Sequence, residues 1–303
     1  MQTECIRLYC GAGNETARTH AAYGGRYACV SPVYGLKKVS ITRVSLPPDT
    51  EVFQDSGAFT DNISARLTFM QAFERQLNHA YKFGYSIFAQ AAYDVLIDET
   101  WDELGRHKQR WSVGDAESAI DSTVAAAKWI SNQRDNTPAK HLILSAQGVD
   151  SVQYLRCTER IMPYLETGDI FGMGGWCIIG KMPRVMMPTF EETVRRVIPF
   201  IAREGVKRAH IWGVCYAPAI GMLNAIADEY GISVSTDSAG PILRPTFGEW
   251  GYDNWRHENY KRPVGQVDMA QAMTEHAQAT RQWLADFKTR SPKHYKLPRT
   301  TLL

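Results

Sequence analysis

The 303-residue chain contains no apolar run near the roughly 20 residues that cross a bilayer, and its start, MQTECIRLYC, has no basic region leading into a hydrophobic stretch. A membrane span and a secretory leader are therefore not expected. Cysteines are few and lack paired spacing: Cys5, Cys10, Cys29, Cys157, Cys177 and Cys215, with none beyond. Such scatter, in a chain long enough to build a core without staples, predicts reduced thiols and a cytoplasmic setting. There is no GxGxxG after a first strand, which counts against a dinucleotide-binding sheet. Internal repeats and low-complexity segments are absent as well. Excess charge of either sign is small, a formal +2, which by itself points to no nucleic acid, membrane or acidic partner.

What is present is an alternation. Short β-rich runs are expected at Ile6–Tyr9, Tyr27–Val30, Val52–Gln54, Ser86–Tyr93, His141–Ala146, Ile170–Met173, Ala209–Gly213 and Ile232–Thr236. Amphipathic helical patterns separate them. Ile63, Leu67, Met70, Phe73 and Leu77 recur at helical spacing, as do Ile120, Val124, Ala127 and Ile130. Thr189 followed by Glu191 and Glu192 reads as a capped start for a helix ending at Gly205, and a further helix is expected from about Pro218 to Tyr230. Eight strands with intervening helices predict an α/β fold, a (β/α)8 TIM barrel over residues 1–243, with an open doubly wound sheet as the competing topology. Residues 244–303 are expected to form a basic, aromatic, helical appendage packed on the barrel, because some 60 residues make only a marginal core. They carry ten Lys/Arg against six Asp/Glu, so the positive charge is concentrated there.

In such a barrel, chemistry collects at the C-terminal strand ends. After the third expected strand comes Asp55, in FQDSGAFT; after the fourth, Asp94, with Asp98 and Glu99 just beyond. Gln147-Gly148, Gly174-Gly175, Gly213 and Asp237-Ser238 follow the others. Each alone also reads as a turn, a cap or a satisfied polar residue. Together they describe a polar mouth that a flat ligand rich in donors and acceptors can approach, since glycine removes the Cβ that would hold it away. Paired carboxylates there could act as nucleophile and general acid/base in glycosyl transfer.

The motifs D55-S-G-A-F, the strand ending at Asp94, S145-A-Q-G148, F171-G-M-G-G-W-C177, H210-I-W-G-V214 and S235-T-D-S238, in this order over about residues 5–245, resemble the guanine transglycosylases. These enzymes exchange guanine in nucleic acid for a 7-deazaguanine, and the likeness is greatest to the short DpdA-type branch of phages and bacteria that acts on DNA. The resemblance implies a TIM barrel working without metal or organic cofactor in the cytoplasm of a bacterium or a phage-infected cell. It implies Asp55 as general acid/base and Asp237 as the nucleophile that attacks C1′. Asp94, or less well Asp98, would bind the purine edge. Gln147, Gly148 and the backbone of Gly174, Gly175 and Trp176 would contact the base, beside Ser56. Phe59 or Tyr93 would stack on the ring, and Gly213 would keep the pocket open. The target nucleotide would be flipped out or single-stranded, and homodimers are common among the proteins it resembles.

Two departures matter. The bacterial tRNA enzymes carry a CxCxxC…H zinc site after the nucleophile, where this chain has no cysteine, so no structural zinc of that kind is expected; His257 and His276 read as solvated. Lys181 stands where those enzymes place a glutamate beside a cationic substituent, which leans toward a neutral one such as the nitrile of preQ0. Arg244, Arg256, Lys261 and Arg262, interleaved with Trp250, Tyr252, Trp255 and Tyr260, are expected to track phosphates. DNA is thus the expected partner and tRNA the alternative. A non-catalytic nucleic-acid-binding subunit and a two-carboxylate glycoside hydrolase are the competing readings.

Overall fold

Eight parallel strands close on themselves, which removes the exposed sheet edges an open sheet would leave. The computed structural model describes residues 7–11, 26–33, 49–61, 66–84, 86–97, 100–101, 107–108, 111–214 and 216–238. In chain order the strands are β1 (Arg7–Gly11), β2 (Tyr27–Val30), β3 (Glu51–Gln54), β4 (Ile87–Ala91), a short antiparallel pair β5 (Thr100–Trp101) and β6 (His107–Lys108), β7 (Ala139–Ala146), β8 (Ile170–Met173), β9 (Arg208–Ile211) and β10 (Ser233–Ser238). The barrel order is β1-β10-β9-β8-β7-β4-β3-β2, with β1 pairing both β2 and β10. This is the TIM-barrel topology. The appendage expected over 244–303 lies outside the described residues.

The barrel interior is filled by side chains of unequal size. Phe53 is fully buried among Cys29, Ala89, Ala91, Ile143 and Ile170, where the two alanines of β4 leave room for its ring. At the N-terminal rim, Glu51 at the start of β3 pairs with Arg208 at the start of β9 at 2.5 Å and with Arg7 of β1 at 3.7 Å. The Arg208 guanidinium lies over the rings of Phe88 and Phe53, at 4.8 and 5.8 Å. This end is a charged, aromatic plug, and the polar strand-end residues lie at the opposite, C-terminal rim.

Outside the barrel run α1 (Ala58–Asp61), α2 (Phe69–Phe83), α3 (Val113–Ser131), α4 (Ser151–Ile161), α5 (Pro183–Arg203) and α6 (Ala217–Glu229). Helix α2 starts from a capping box between Thr68 and Gln71 and stops at Gly84, whose φ of 68° suits glycine. Its start at Phe69 places Leu67 ahead of the helix, and Met70 is half exposed rather than part of a buried stripe. The buried face of α2 carries Phe73 of the expected stripe, with Leu77 packed beside it, and adds Gln76 and His79. Gln76 Nε2 donates to the carbonyls of Asp55 (3.1 Å) and Ala91 (2.9 Å), Gln54 Nε2 donates to the Gln76 carbonyl (2.9 Å), and Gln90 Nε2 to Gln76 Oε1 (2.9 Å). A polar clamp therefore holds the ends of β3 and β4 together.

Helix α5 corrects a second expectation. It begins at Pro183, not after Thr189, and passes through Pro188 and Pro199. Burial of Met186, Met187 and Phe190 on the barrel outweighs the hydrogen bond that Pro188 cannot donate. The last strand also differs: β10 extends through Asp237, which pairs with Tyr9 of β1 instead of following the strand.

Candidate active site

Three carboxylates lie at the C-terminal rim of the barrel. Asp55 directly follows β3, and its position follows from the turn it begins. Its N–H donates to the Val30 carbonyl (2.9 Å), its side chain bonds the Gly57 backbone and Ser31, and Gly57 takes a φ of 81°. A Cβ at Gly57 would lie 2.4 Å from Arg75 Nη2 and 2.5 Å from Val33 Cγ2, so the third residue of D55-S-G must be glycine. Arg75 holds the turn from behind, donating to the Ser56 carbonyl (2.7 Å) and to both oxygens of Asp61 (2.9 and 2.8 Å). Burial first, then the negative charges of Asp237 and Asp94, raise the Asp55 carboxyl from 3.8 to about 6. The charges of Asp237 and Asp94 thus both reach Asp55.

Asp94 stands three residues past β4. Gln147 Nε2 donates to its Oδ2 at 2.5 Å, and Ser56 also bonds it. Burial nonetheless raises its pKa. Gln147 itself is fully buried and committed on both sides, since its Oε1 accepts from the Ile97 N–H at 3.2 Å. Gly174 and Gly175 make this possible. A Cβ at Gly174 would sit 1.8 Å from Gln147 Nε2, and one at Gly175, whose φ is 83°, would sit 2.5 Å from the Ile97 carbonyl. Gly148 packs as tightly on the start of α4, where a Cβ would meet Tyr154 N at 2.6 Å.

Asp237 reaches the same mouth from β10. Its Oδ1 accepts from the Gly213 backbone N–H at 2.6 Å and faces His210 Nε2 at 3.3 Å. Gly213 adopts a φ of 67° beside Cys177, whose Sγ would be 2.7 Å from a Cβ there. His210 is completely buried, edge-on to Phe53 and to Trp212, and burial lowers its pKa. Its Nδ1 lies 2.9 Å from Ser235 Oγ. Trp212 lies partly exposed beside it and donates through Nε1 to Ser145 Oγ at 2.8 Å.

The structure therefore brings Asp55, Asp94, Asp237, Gln147, Gly174, Gly175, Gly213 and Ser56 together. Trp176 is buried, with its ring against Tyr154 and Phe190. Phe59 is half exposed on α1. Tyr93 is turned into the wall, where its hydroxyl donates to Asp61 Oδ2 (3.1 Å) and accepts from the Leu67 N–H (3.2 Å). Asp98, Arg244, Arg256, Lys261 and Arg262 lie outside the described residues. Sequence reasoning assigned no role to His210, Ser235, Trp212 or Ser145. The period-two spacing of His210 and Trp212, and of Ser235 and Asp237, is the signal that could have placed each pair on one face. Among the described residues no group of three His, Cys, Asp or Glu side chains could hold a metal ion, and no helix is long and apolar enough to cross a membrane.

No protein-family model and no curated protein sequence matches the chain. Solved structures with a similar fold include a candidate fructose-1,6-biphosphate aldolase from Coccidioides immitis (7% identity, TM-score 0.48, covering 95% of this chain and 91% of that one). They also include a Bacteroidetes-affiliated GH5 cellulase (9% identity, TM-score 0.47, covering 96% and 93%). Likeness at this level says nothing of substrate or chemistry.

Proposed function

We propose that the chain is a nucleic-acid guanine transglycosylase that replaces guanine in DNA with a 7-deazaguanine of the preQ0 kind. The observation that carries this reading is the sharing of one barrel mouth by Asp55, Asp94 and Asp237, with the charges of the other two acting on Asp55. Three acids in three settings can divide three tasks. Asp237, reached by two nitrogens on a single oxygen, is the nucleophile that attacks C1′. Asp55, raised to about 6, can exist in either protonation state near neutrality, as an acid that later serves as a base must. Asp94 is an acceptor-only group for the N1–H and 2-amino donors of guanine once ionised.

The exchange balances as a double displacement. Asp237 forms a bond to C1′ while the C1′–N9 bond breaks, and Asp55 gives its proton to the departing guanine. An incoming deazaguanine then loses its N9 proton to Asp55, its N9 bonds to C1′, and Asp237 is released. Two inversions leave the configuration retained. Lys181, exposed ahead of α5, carries no negative charge that would select a cationic substituent, which supports a neutral incoming base.

The deciding experiment is exchange of radiolabelled guanine and incorporation of preQ0, offered in parallel to duplex DNA, single-stranded DNA and tRNA. Incorporation into either DNA, abolished by Asp237→Asn, is the expected result. Incorporation into tRNA alone moves the substrate, and incorporation into none of the three overturns the reading.

A further inference from the structure

The nucleophile proposed above does not stand alone on its strand. Asp237 Oδ1 receives the backbone N–H of Gly213 at 2.6 Å, and because a main-chain N–H can only donate, Oδ1 is an acceptor. His210 Nε2 faces the same oxygen at 3.3 Å. A lone pair on that nitrogen would oppose a lone pair on Oδ1, whereas an N–H would add a second donor. An imidazolium would satisfy both contacts, but His210 is completely buried and burial disfavours its charged form. The neutral ring must then use Nδ1 as an acceptor, and Ser235 Oγ lies beside Nδ1 at 2.9 Å. The Ser235 hydroxyl has one proton and two places for it: His210 Nδ1 at 2.9 Å or the Ala209 carbonyl at 3.3 Å. The shorter contact is to the histidine.

We propose that His210 is a positioning residue for Asp237, held by Ser235 as the tautomer protonated on Nε2, so that His210 and Gly213 together bind Oδ1 and leave Oδ2 as the oxygen that attacks. The chain is Ser235 O–H to His210 Nδ1, His210 Nε2–H to Asp237 Oδ1. Each member comes from β9 or β10 or from the turn after β9, and the register Ser235↔His210 aligns them. Phe53 and Trp212 meet the imidazole edge-on at 5.1 and 4.3 Å between ring centroids and restrict its rotation. Two donors on one carboxylate oxygen fix the rotamer and concentrate reactivity on the other, which is the preorganisation a displacement at C1′ requires. The assignment rests on the reading of Asp237 as nucleophile, and it adds the atom that attacks and the group that aims it.

The test has a kinetic arm and a spectroscopic one. His210→Leu is expected to slow formation of the covalent glycosyl-enzyme adduct about tenfold to a hundredfold while leaving nucleic-acid affinity within about twofold, the range for losing a hydrogen bond to a charged group. His210→Gln, whose amide can restore an N–H to Oδ1, is expected to recover most of that loss. Ser235→Ala is expected to give a smaller decrease. Long-range proton–nitrogen correlation spectra of the free protein labelled with 15N-histidine, with the His210 signals assigned by their absence in His210→Gln, should show Nε2 protonated and Nδ1 bare. Adduct formation at the wild-type rate in His210→Leu, or an Nδ1-protonated ring, overturns the assignment. Should the wild type form no adduct with any nucleic acid, the functional reading fails, and the spectra still decide the tautomer.

Discussion

Gln147 and Asp94 are joined by a 2.5 Å hydrogen bond in which the amide nitrogen donates to the carboxylate, and the other end of the same amide accepts from Ile97. Gln147 thus acts on Asp94 instead of on open space. Gln147→Leu should leave the chemical step nearly intact and raise KM for the incoming base by about tenfold, as expected when the aim of a charged acceptor is lost. Steady-state exchange kinetics against base concentration check this; an unchanged KM with a collapsed kcat would contradict it.

Gly174 is part of the same arrangement. Gly174→Ala puts a Cβ 1.8 Å from Gln147 Nε2, so the amide must swing away from Asp94. A stability loss of about 2 kcal/mol or more is expected from the overpacking. Denaturant melts measure the stability, and base titration should show the Gln147→Leu defect reproduced.

The pH behaviour of the two half-reactions should diverge. Guanine release needs protonated Asp55 and should fall as pH rises through about 6, whereas incorporation needs ionised Asp55 and should rise through the same value. Single-turnover rates for each half, measured from pH 5 to 8, give the two limbs. Limbs that run in the same direction would remove Asp55 from the role of shared acid and base.

Stability carries the same signature with a definite sign. The folded value of Asp55, about 6, lies above its ordinary 3.8, so the folded state binds the proton more tightly. The corresponding stability is fully present below 3.8, declines as pH rises toward 6, and is gone above it. A shift of about two units amounts to about 3 kcal/mol. Asp55→Asn, which cannot ionise, should raise the melting temperature at pH 8 and change it little at pH 3.5, by calorimetry at the two pH values.

The closed end offers a contrast. Asp169, before β8, accepts from Arg134 Nη1 (3.1 Å) and Nη2 (2.5 Å) and from the N–H groups of Leu142 (2.9 Å) and Glu166 (2.8 Å), with its side chain only 2% exposed. Asp169→Asn should cost about 2 kcal/mol by replacing its charged hydrogen bonds to Arg134, which keeps Glu166 at 2.9 Å as a carboxylate partner, with weaker neutral ones. Exchange activity of the fraction still folded should be unchanged, because this residue lies at the pole away from the mouth. Activity lost in proportion to something other than unfolding would show the two poles to be coupled.

Much of this architecture was legible in the residue order. A parallel strand buried on both faces appears as a short apolar run, and the polar residue that ends it lies at the rim, so Asp55, Asp94, Gln147 and Gly174 could be placed from local pattern alone. The start of α5 was misread because Thr189 with Glu191 and Glu192 imitates a capped start, whereas packing of Met186, Met187 and Phe190 against the barrel carries the helix back through Pro188 to Pro183. The inner face of α2 was read only in part: Phe73 and Leu77 pack as their spacing implies, but Gln76 and His79 are buried through hydrogen bonds, which hydrophobic periodicity cannot register.

The amino-acid sequence by itself determined the alternation of strand and helix, the rim carboxylates and the glycines that let the backbone close around them, since these depend on neighbours within a few residues. Only the tertiary structure decided that Asp237 lies within β10, that Gln147 serves Asp94, and that His210 and Ser235 line up behind Asp237. The side-chain pairings among these span 24 to 53 residues and follow from the register in which the strands lock when the barrel closes, a condition that no local stretch of chain contains.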